Sequence, residues 1–335
     1  MYGYTNTINL VRNNFDILSL PLQDDSDNWT KMRETIYSER NERISKVCQR
    51  YKDEYNIEKN LEILNIHTLG HGAGFILDRK NKIGYCENPK VGTSTWMNYF
   101  FWLLPAKKRE MLDDAKEGVN QEMRHAVWKH FMVEHTQSFN KYSLPVVSKN
   151  FDRLVNFLND NIFTFIFVRH PFERLVSAYK NKGLQRHLME RFGYKDWYLK
   201  DHSFPAFVDL VLSEYRNSSC YRSYYSSCNK NEYTFNYHWS PLTSRCSYCE
   251  VSYNVIGHME TFDEDVHYIV SKTELNKFFP AENYSKHLNP TKKNKENETM
   301  LYFRQLNEKQ FHDLFDMYQM DFDAFGYDAQ LYLPQ

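Results

Sequence analysis

"NIFTFIFVRHPFERLVSAYKNK", residues Asn161 to Lys182, is the stretch that decides the fold. Its first eight residues, Asn161 to Val168, form a short apolar run rich in aromatic and β-branched side chains. Such a run suits a strand buried on both faces, as in a parallel sheet covered by helices. Pro171 stands where the next element should start, and proline fits the first turn of a helix, where an N–H has no intrahelical partner. The helix it opens turns Leu175, Val176 and Tyr179 inward. Strands alternating with helices predict an α/β fold with a central parallel sheet flanked by helices. The same stretch puts Arg169 at the carboxyl end of the strand and Ser177 one to two turns into the helix. Both can converge there on one anion, at the edge where α/β sheets bind ligands. The structural alternative is that Arg169 pairs with Glu173, four positions on, while Ser177 only packs.

Upstream, "GFILDRKNKIGYCENPKVGTSTWMNYFFWLL" repeats the plan of strand, loop and helix. Two short strands are predicted around a polar turn, the second running from Ile83 to Glu87 until Pro89 ends it. A helix follows near Ser94 to Leu104, stopped at Pro105. Between them, Lys90 offers a mobile charge, the Val91–Gly92 backbone can approach a ligand closely, and Thr93, Ser94 and Thr95 add hydroxyl donors. Set against the open N–H groups and partial positive charge of a helix start, they make a cradle for phosphate or sulfate. The loop lacks the second glycine and lysine order of a Walker A motif. The plainer reading is a capped helix after a turn.

Residues 1–60 read as a helical lead-in and 61–335 as one domain. Residues 106–160 read as helices with loops. Thr261 and Glu264 have capping-box spacing and open a helix. "SKHLNPTKKNKENET", from Ser285, is charged and poor in apolar residues, which predicts a surface loop. Phe311, Leu314, Phe315, Tyr318, Phe322 and Phe325 recur at helical spacing and predict a packed terminal helix. The 335-residue chain is 41% apolar with a net charge of −1, so it has a real core and no global attraction to nucleic acid or acidic membranes. No apolar run approaches the ~18–20 residues of a membrane span, and the N-terminus is too polar for a signal peptide. A soluble chain is expected, held to a membrane only through an anchor not visible in this sequence. Cys48, Cys86, Cys220, Cys228, Cys246 and Cys249 are compatible with three disulfides, with buried thiols, or with zinc at Cys246-x-x-Cys249. Zinc lacks a second ligand pair at a suitable spacing. Sequons at Asn28, Asn217, Asn283 and Asn297 lean towards a secretory route.

A strand-PK-x-G-x-[ST]-x-W loop followed by VRxPFxRLxSAYxxK resembles the Golgi carbohydrate sulfotransferase family, the group acting on chondroitin, dermatan and related glycans. "HWSPLTSRCSYCEVSYNVIGHMETFDED" is similar to that group's HW-x-P, CxxC and ET-x-x-x-D block, and "RISKVCQRY" to its upstream element. The ending "LYFRQLNEKQFHDLFDMYQMDFDAFGYD" resembles its terminal helix, so ordered matches run from about residue 40 to 330. The resemblance implies a P-loop-like sulfotransferase fold, a Golgi lumen location, and transfer of sulfonate from 3′-phosphoadenosine 5′-phosphosulfate to a glycan hydroxyl. Lys90, Thr93, Ser94 and Thr95 would hold the 5′-phosphosulfate, Trp96 would stack on adenine, and Arg169 with Ser177 would hold the 3′-phosphate. Two departures stand out. Met97 and Asn98 replace basic residues, and His170 replaces an acid.

In-line transfer needs a base for the acceptor hydroxyl and positive charge at the departing phosphate. Lys90 fits the second task. His135 and His238 are the candidates for the first. No metal is required. The competing classes are a phosphoryl-transfer enzyme, for which the Walker lysine and acidic metal ligands are missing, a catalytically silent glycan- or nucleotide-binding relative motivated by Met97 and Asn98, and an α/β domain without a donor site.

Overall fold

The computed structural model describes residues 23–55, 75–110, 121–131, 155–217, 235–246, 248–273, 275–278 and 295–333. Phe75–Asp78 (β1), Ile83–Cys86 (β2), Phe163–Val168 (β3) and Val255–His258 (β4) form one sheet in that order. β1 and β2 pair antiparallel, with Phe75 opposite Cys86. The Asp78 carboxylate closes their turn by accepting from the Lys80 and Asn81 N–H groups at 3.0 and 3.2 Å. β2, β3 and β4 run parallel, with Gly84 beside Thr164 and Val168 beside His258. The run read as a buried parallel strand is therefore the centre of the sheet. All three parallel strands deliver their following loops to one edge, with strands ~4.8 Å apart.

The helices that follow these strands are Thr93–Trp102, Pro171–Ala178 and Phe262–Thr273. Pro171 opens its helix in the first turn. Phe262–Thr273 also starts where predicted, but not through a Thr261–Glu264 capping box. The Thr261 hydroxyl instead donates to Asp265 at 2.7 Å, because a buried carboxylate is the stronger acceptor. The terminal helix Glu308–Phe325 carries a capping box, Asn307 with Gln310, and buries Phe311, Leu314, Tyr318, Phe322 and Phe325. A correction falls at Lys295–Thr299, the end of the predicted surface loop, which belongs to the helix Lys295–Phe303. Phe303 is its anchor, stacked on Phe172 at 4.3 Å, and one buried aromatic outweighs a polar composition. The start of that predicted loop, from Ser285 to 294, lies outside the described residues.

Within the expected helical lead-in, the helix Gln23–Tyr55 joins the core around the sheet, burying Tyr37, Ile44, Val47, Cys48 and Tyr51. Asp265 is the tie. It receives Arg33, the Tyr37 hydroxyl at 2.7 Å and the His258 N–H at 2.9 Å, while Arg40 donates to the Ile256 carbonyl at 2.6 Å. The cysteines of the CxxC do not pair with each other. Cys246 bonds Cys86 at the end of β2, and Cys249 bonds Cys48 on the N-terminal helix. Cys220 and Cys228 lie outside the described residues. Among the described residues no helix is long and apolar enough to cross a membrane.

Because these bridges span 160 and 201 residues, each constrains the unfolded chain strongly. Removing one is expected to cost about 2–5 kcal/mol. Thermal unfolding with and without a thiol reductant checks this: the midpoint drops in reductant, and an unchanged midpoint contradicts the pairing.

Candidate active site

The loop after β2 turns on two residues with left-handed backbone, Lys90 at φ 73° and Gly92 at φ 80°. Lys90 adopts this conformation without being glycine, a strain that persists where the surroundings enforce it. Gly92 has a second reason to lack a side chain: a Cβ there would come within 2.5 Å of the Phe262 ring. Gly92 is also the N-cap of Thr93–Trp102, and no side chain caps that helix. The Gly92 carbonyl accepts from the Thr95 N–H at 3.0 Å and the Trp96 N–H at 3.3 Å, so the helix starts on the backbone alone. The Thr93 hydroxyl donates to the Asn88 carbonyl, and the Ser94 hydroxyl accepts from Arg124 at 2.7 Å. Arg124 comes from the helix Gln121–Phe131 and also lies 3.6 Å from Glu87.

The loop after β3 begins with Arg169. Its Nε and Nη2 both donate to Glu173, at 3.1 and 2.9 Å. The pairing named as the structural alternative is present, and an anion at Arg169 has to compete with Glu173. Ser177 lies two turns along, half-buried. His170 caps the helix that follows it. Its Nδ1 accepts from the Phe172 N–H at 3.2 Å and caps the helix, so Nε2 carries the proton and donates to the Asp328 carbonyl at 2.9 Å.

His238 arrives on the turn 235–246. The Asn236 side-chain oxygen accepts the His238 N–H at 3.1 Å and lies 2.9 Å from Nδ1. That oxygen is an acceptor, so Nδ1 carries the proton and Nε2 keeps its lone pair. Burial pushes the imidazolium pKa down, and the charges of Lys182, Lys90, Arg245 and Arg174 push it further, to about 2. Lys182 sits on a π-helical turn, Tyr179–Gly183, that continues the Pro171 helix. Its own pKa is lowered by burial and by Arg124 and Arg191. Arg245 lies over the Tyr237 ring at 5.5 Å. Four cations, Lys182, Lys90, Arg245 and Arg174, thus bear on a neutral imidazole.

Two site residues need restating. Trp96 is fully buried, with Phe165 at 4.3 Å, Tyr99 at 5.1 Å and Phe167 at 5.5 Å between ring centroids. It is a core residue, and its ring has no face left for a base. The spacing of Trp96, Tyr99 and Phe100 was the available signal, since i, i+3 and i+4 mark the inward face of a helix. Met97 is buried as well, while Asn98 is half-buried, so neither departure from the basic pattern leaves an empty charged position. Val91 is buried and can offer only its backbone. His135 lies outside the described residues. Sequence reading missed Arg124, which no motif marks. Arg174 and Lys182 fall within the VRxPFxRLxSAYxxK pattern, and only the fold shows what they face.

A family model described as "Sulfotransferase family" matches residues 73–328. Carbohydrate sulfotransferase 11 of Mus musculus is 23% identical over 314 residues, covering 89% of this chain and 78% of that protein. Carbohydrate sulfotransferase 10 of Xenopus laevis is 26% identical over 316 residues, with the same coverages. The Homo sapiens form of carbohydrate sulfotransferase 10 is 25% identical over 311 residues, covering 87% and 76%. No solved structure matches the chain.

Two outcomes are expected from this geometry. Gly92→Ala combines a left-handed backbone with a collision at Phe262, and should cost about 1–3 kcal/mol in denaturant unfolding. A loss under 0.5 kcal/mol (about the effect of a neutral surface change) contradicts it. Secondly, His170 has its pKa lowered, first by burial. Below about pH 6.5 the unfolded chain therefore binds a proton that the folded chain refuses, and stability falls with acidification. His170→Asn keeps a capping oxygen and should flatten the decline in melting temperature between pH 7.5 and 5. An unchanged slope contradicts the assignment.

Proposed function

The chain belongs to the sulfotransferase family and is a sulfotransferase enzyme, and we propose that it moves the sulfonate of 3′-phosphoadenosine 5′-phosphosulfate onto a hydroxyl of a chondroitin- or dermatan-like glycan. The glycan acceptor is suggested by relatives named as carbohydrate sulfotransferases. The donor is suggested by the cations gathered at one sheet edge. A nucleotide charged at both ends needs two donor clusters, and the loops after β2 and β3 leave neighbouring parallel strands. In this reading the Lys90–Thr95 turn takes the 5′-phosphosulfate. Arg169 and Ser177 take the 3′-phosphate, with Glu173 displaced from the guanidinium. Trp96 has no part in it.

His238 is the proposed base, and the single observation that carries this is its unprotonated Nε2 among cations. The acceptor hydroxyl gives its proton to Nε2 as its oxygen bonds to sulfur. The bond from sulfur to the bridging oxygen breaks, and Lys90 donates to that oxygen as charge develops. Burial, and after it the surrounding cations, make the imidazole a weak base before the donor binds. An anionic donor among them offsets that field and raises its basicity, so base strength arrives together with substrate. Met97 and Asn98 do not argue for a silent relative, since Arg124 and Lys182 supply charge from other segments. A Golgi lumen location fits two disulfides that persist under oxidising conditions.

Turnover of His238→Ala and His135→Ala with labelled donor and desulfated chondroitin tests the assignment. His238→Ala should lose on the order of 10²–10⁴-fold in kcat while still binding 3′-phosphoadenosine 5′-phosphate. Near-normal turnover in His238→Ala, with the loss falling on His135→Ala, moves the role of base to His135.

A further inference from the structure

The turn carrying His238 crosses between two apolar clusters. Phe235 and Trp239 belong to the helical cluster, Leu242 and Cys246 to the cluster around the sheet. Between those anchors its backbone polar groups are held by side chains of two distant helices. Arg174, fully buried on Pro171–Ala178, donates Nη1 to the His238 carbonyl at 3.3 Å and Nη2 to the Ser240 carbonyl. Tyr318, on the terminal helix, donates its hydroxyl to the Trp239 carbonyl between them. Asp321, also fully buried, accepts the Leu242 N–H at 2.7 Å and the Thr243 N–H at 2.8 Å. Three consecutive carbonyls and two consecutive N–H groups are thus pinned from outside the turn.

We propose that Arg174, Tyr318 and Asp321 are positioning residues for His238. They fix the backbone from which its imidazole projects, and Asn236 then fixes the tautomer. This rests on His238 being the base. Burying a guanidinium and a carboxylate is costly, and apolar side chains of like volume would usually hold two helices together at least as well. What apolar packing does not do is hold particular carbonyls and N–H groups in place, which a directional hydrogen bond does. A base has to meet its proton within hydrogen-bond reach, and a shift of 1 Å can cost ~10²-fold. Arg174 also adds to the positive field that keeps the imidazole neutral.

Tyr318→Phe, Asp321→Asn and Arg174→Lys test this, each made in the native chain and again in His238→Gln. Melting temperature and binding of 3′-phosphoadenosine 5′-phosphate select the variants that fold. In those, kcat should fall about tenfold or more, the donor KM should stay within about twofold, and the acid limb of the kcat–pH profile should move. In the His238→Gln background the same substitutions should change the residual rate by less than about twofold. An equal loss in both backgrounds overturns the proposal, as does an unchanged kcat in a folded variant. Tyr318→Phe removes a single hydroxyl and decides the matter if the charged variants do not fold. If His238→Gln alone turns over at the native rate, the base reading fails, and that failure is visible before any positioning variant is examined.

Discussion

Like charges repel, and this fold concentrates cations at one sheet edge despite that repulsion. Burial first, and then Arg124 and Arg191, lower the pKa of Lys182; burial first, and then Lys182, Lys90, Arg245 and Arg174, lower that of His238. Cations held this close repel one another and have to be kept in place by the rest of the structure. An anion relieves the repulsion. Parallel pairing is what makes the gathering possible, because β2, β3 and β4 all release their loops at the same edge. An antiparallel order would send neighbouring loops to opposite edges.

Enforcement comes from ties that cross long stretches of sequence. The Cys86–Cys246 bridge joins the end of β2, just before the Lys90 turn, to the turn that carries His238. Asp265 gathers Arg33, Tyr37, Thr261 and the His258 N–H, which binds the N-terminal helix to the end of β4. Phe262, the first residue of the helix after β4, then sets the wall against which Gly92 turns. The strain at Lys90 is thus held by an arrangement that reaches back to the N-terminal helix.

Local rules made much of this legible. A buried apolar run before Pro171 announced a parallel strand and its helix, and glycine with hydroxyl residues at Gly92–Thr95 announced an open helix start. What escaped depended on contacts between distant segments. Arg124 lies in a helix with no motif, and only the fold brings it to Ser94. The spacing of Cys246 and Cys249 left disulfides, thiols and zinc open, because it cannot reveal partners 160 and 201 residues away. Lys295–Thr299 reads as loop because its composition is polar, while a single ring further along the same helix, Phe303 on Phe172, fixes it. Trp96 is the converse case: the family pattern points to a stacking ring, and the inward spacing of its helix buries it in the core.

The central claim is that the Lys90–Thr95 turn beside these cations, together with Arg169 and Ser177, seats a nucleotide bearing phosphate at both its 3′ and 5′ positions. Isothermal calorimetry of 3′-phosphoadenosine 5′-phosphate against ADP, repeated over a range of salt concentrations, tests it most directly. The account predicts at least about tenfold tighter binding of the 3′-phosphorylated nucleotide, weakening as salt screens the cluster. Equal affinity for the two nucleotides, or no binding of either, would contradict it.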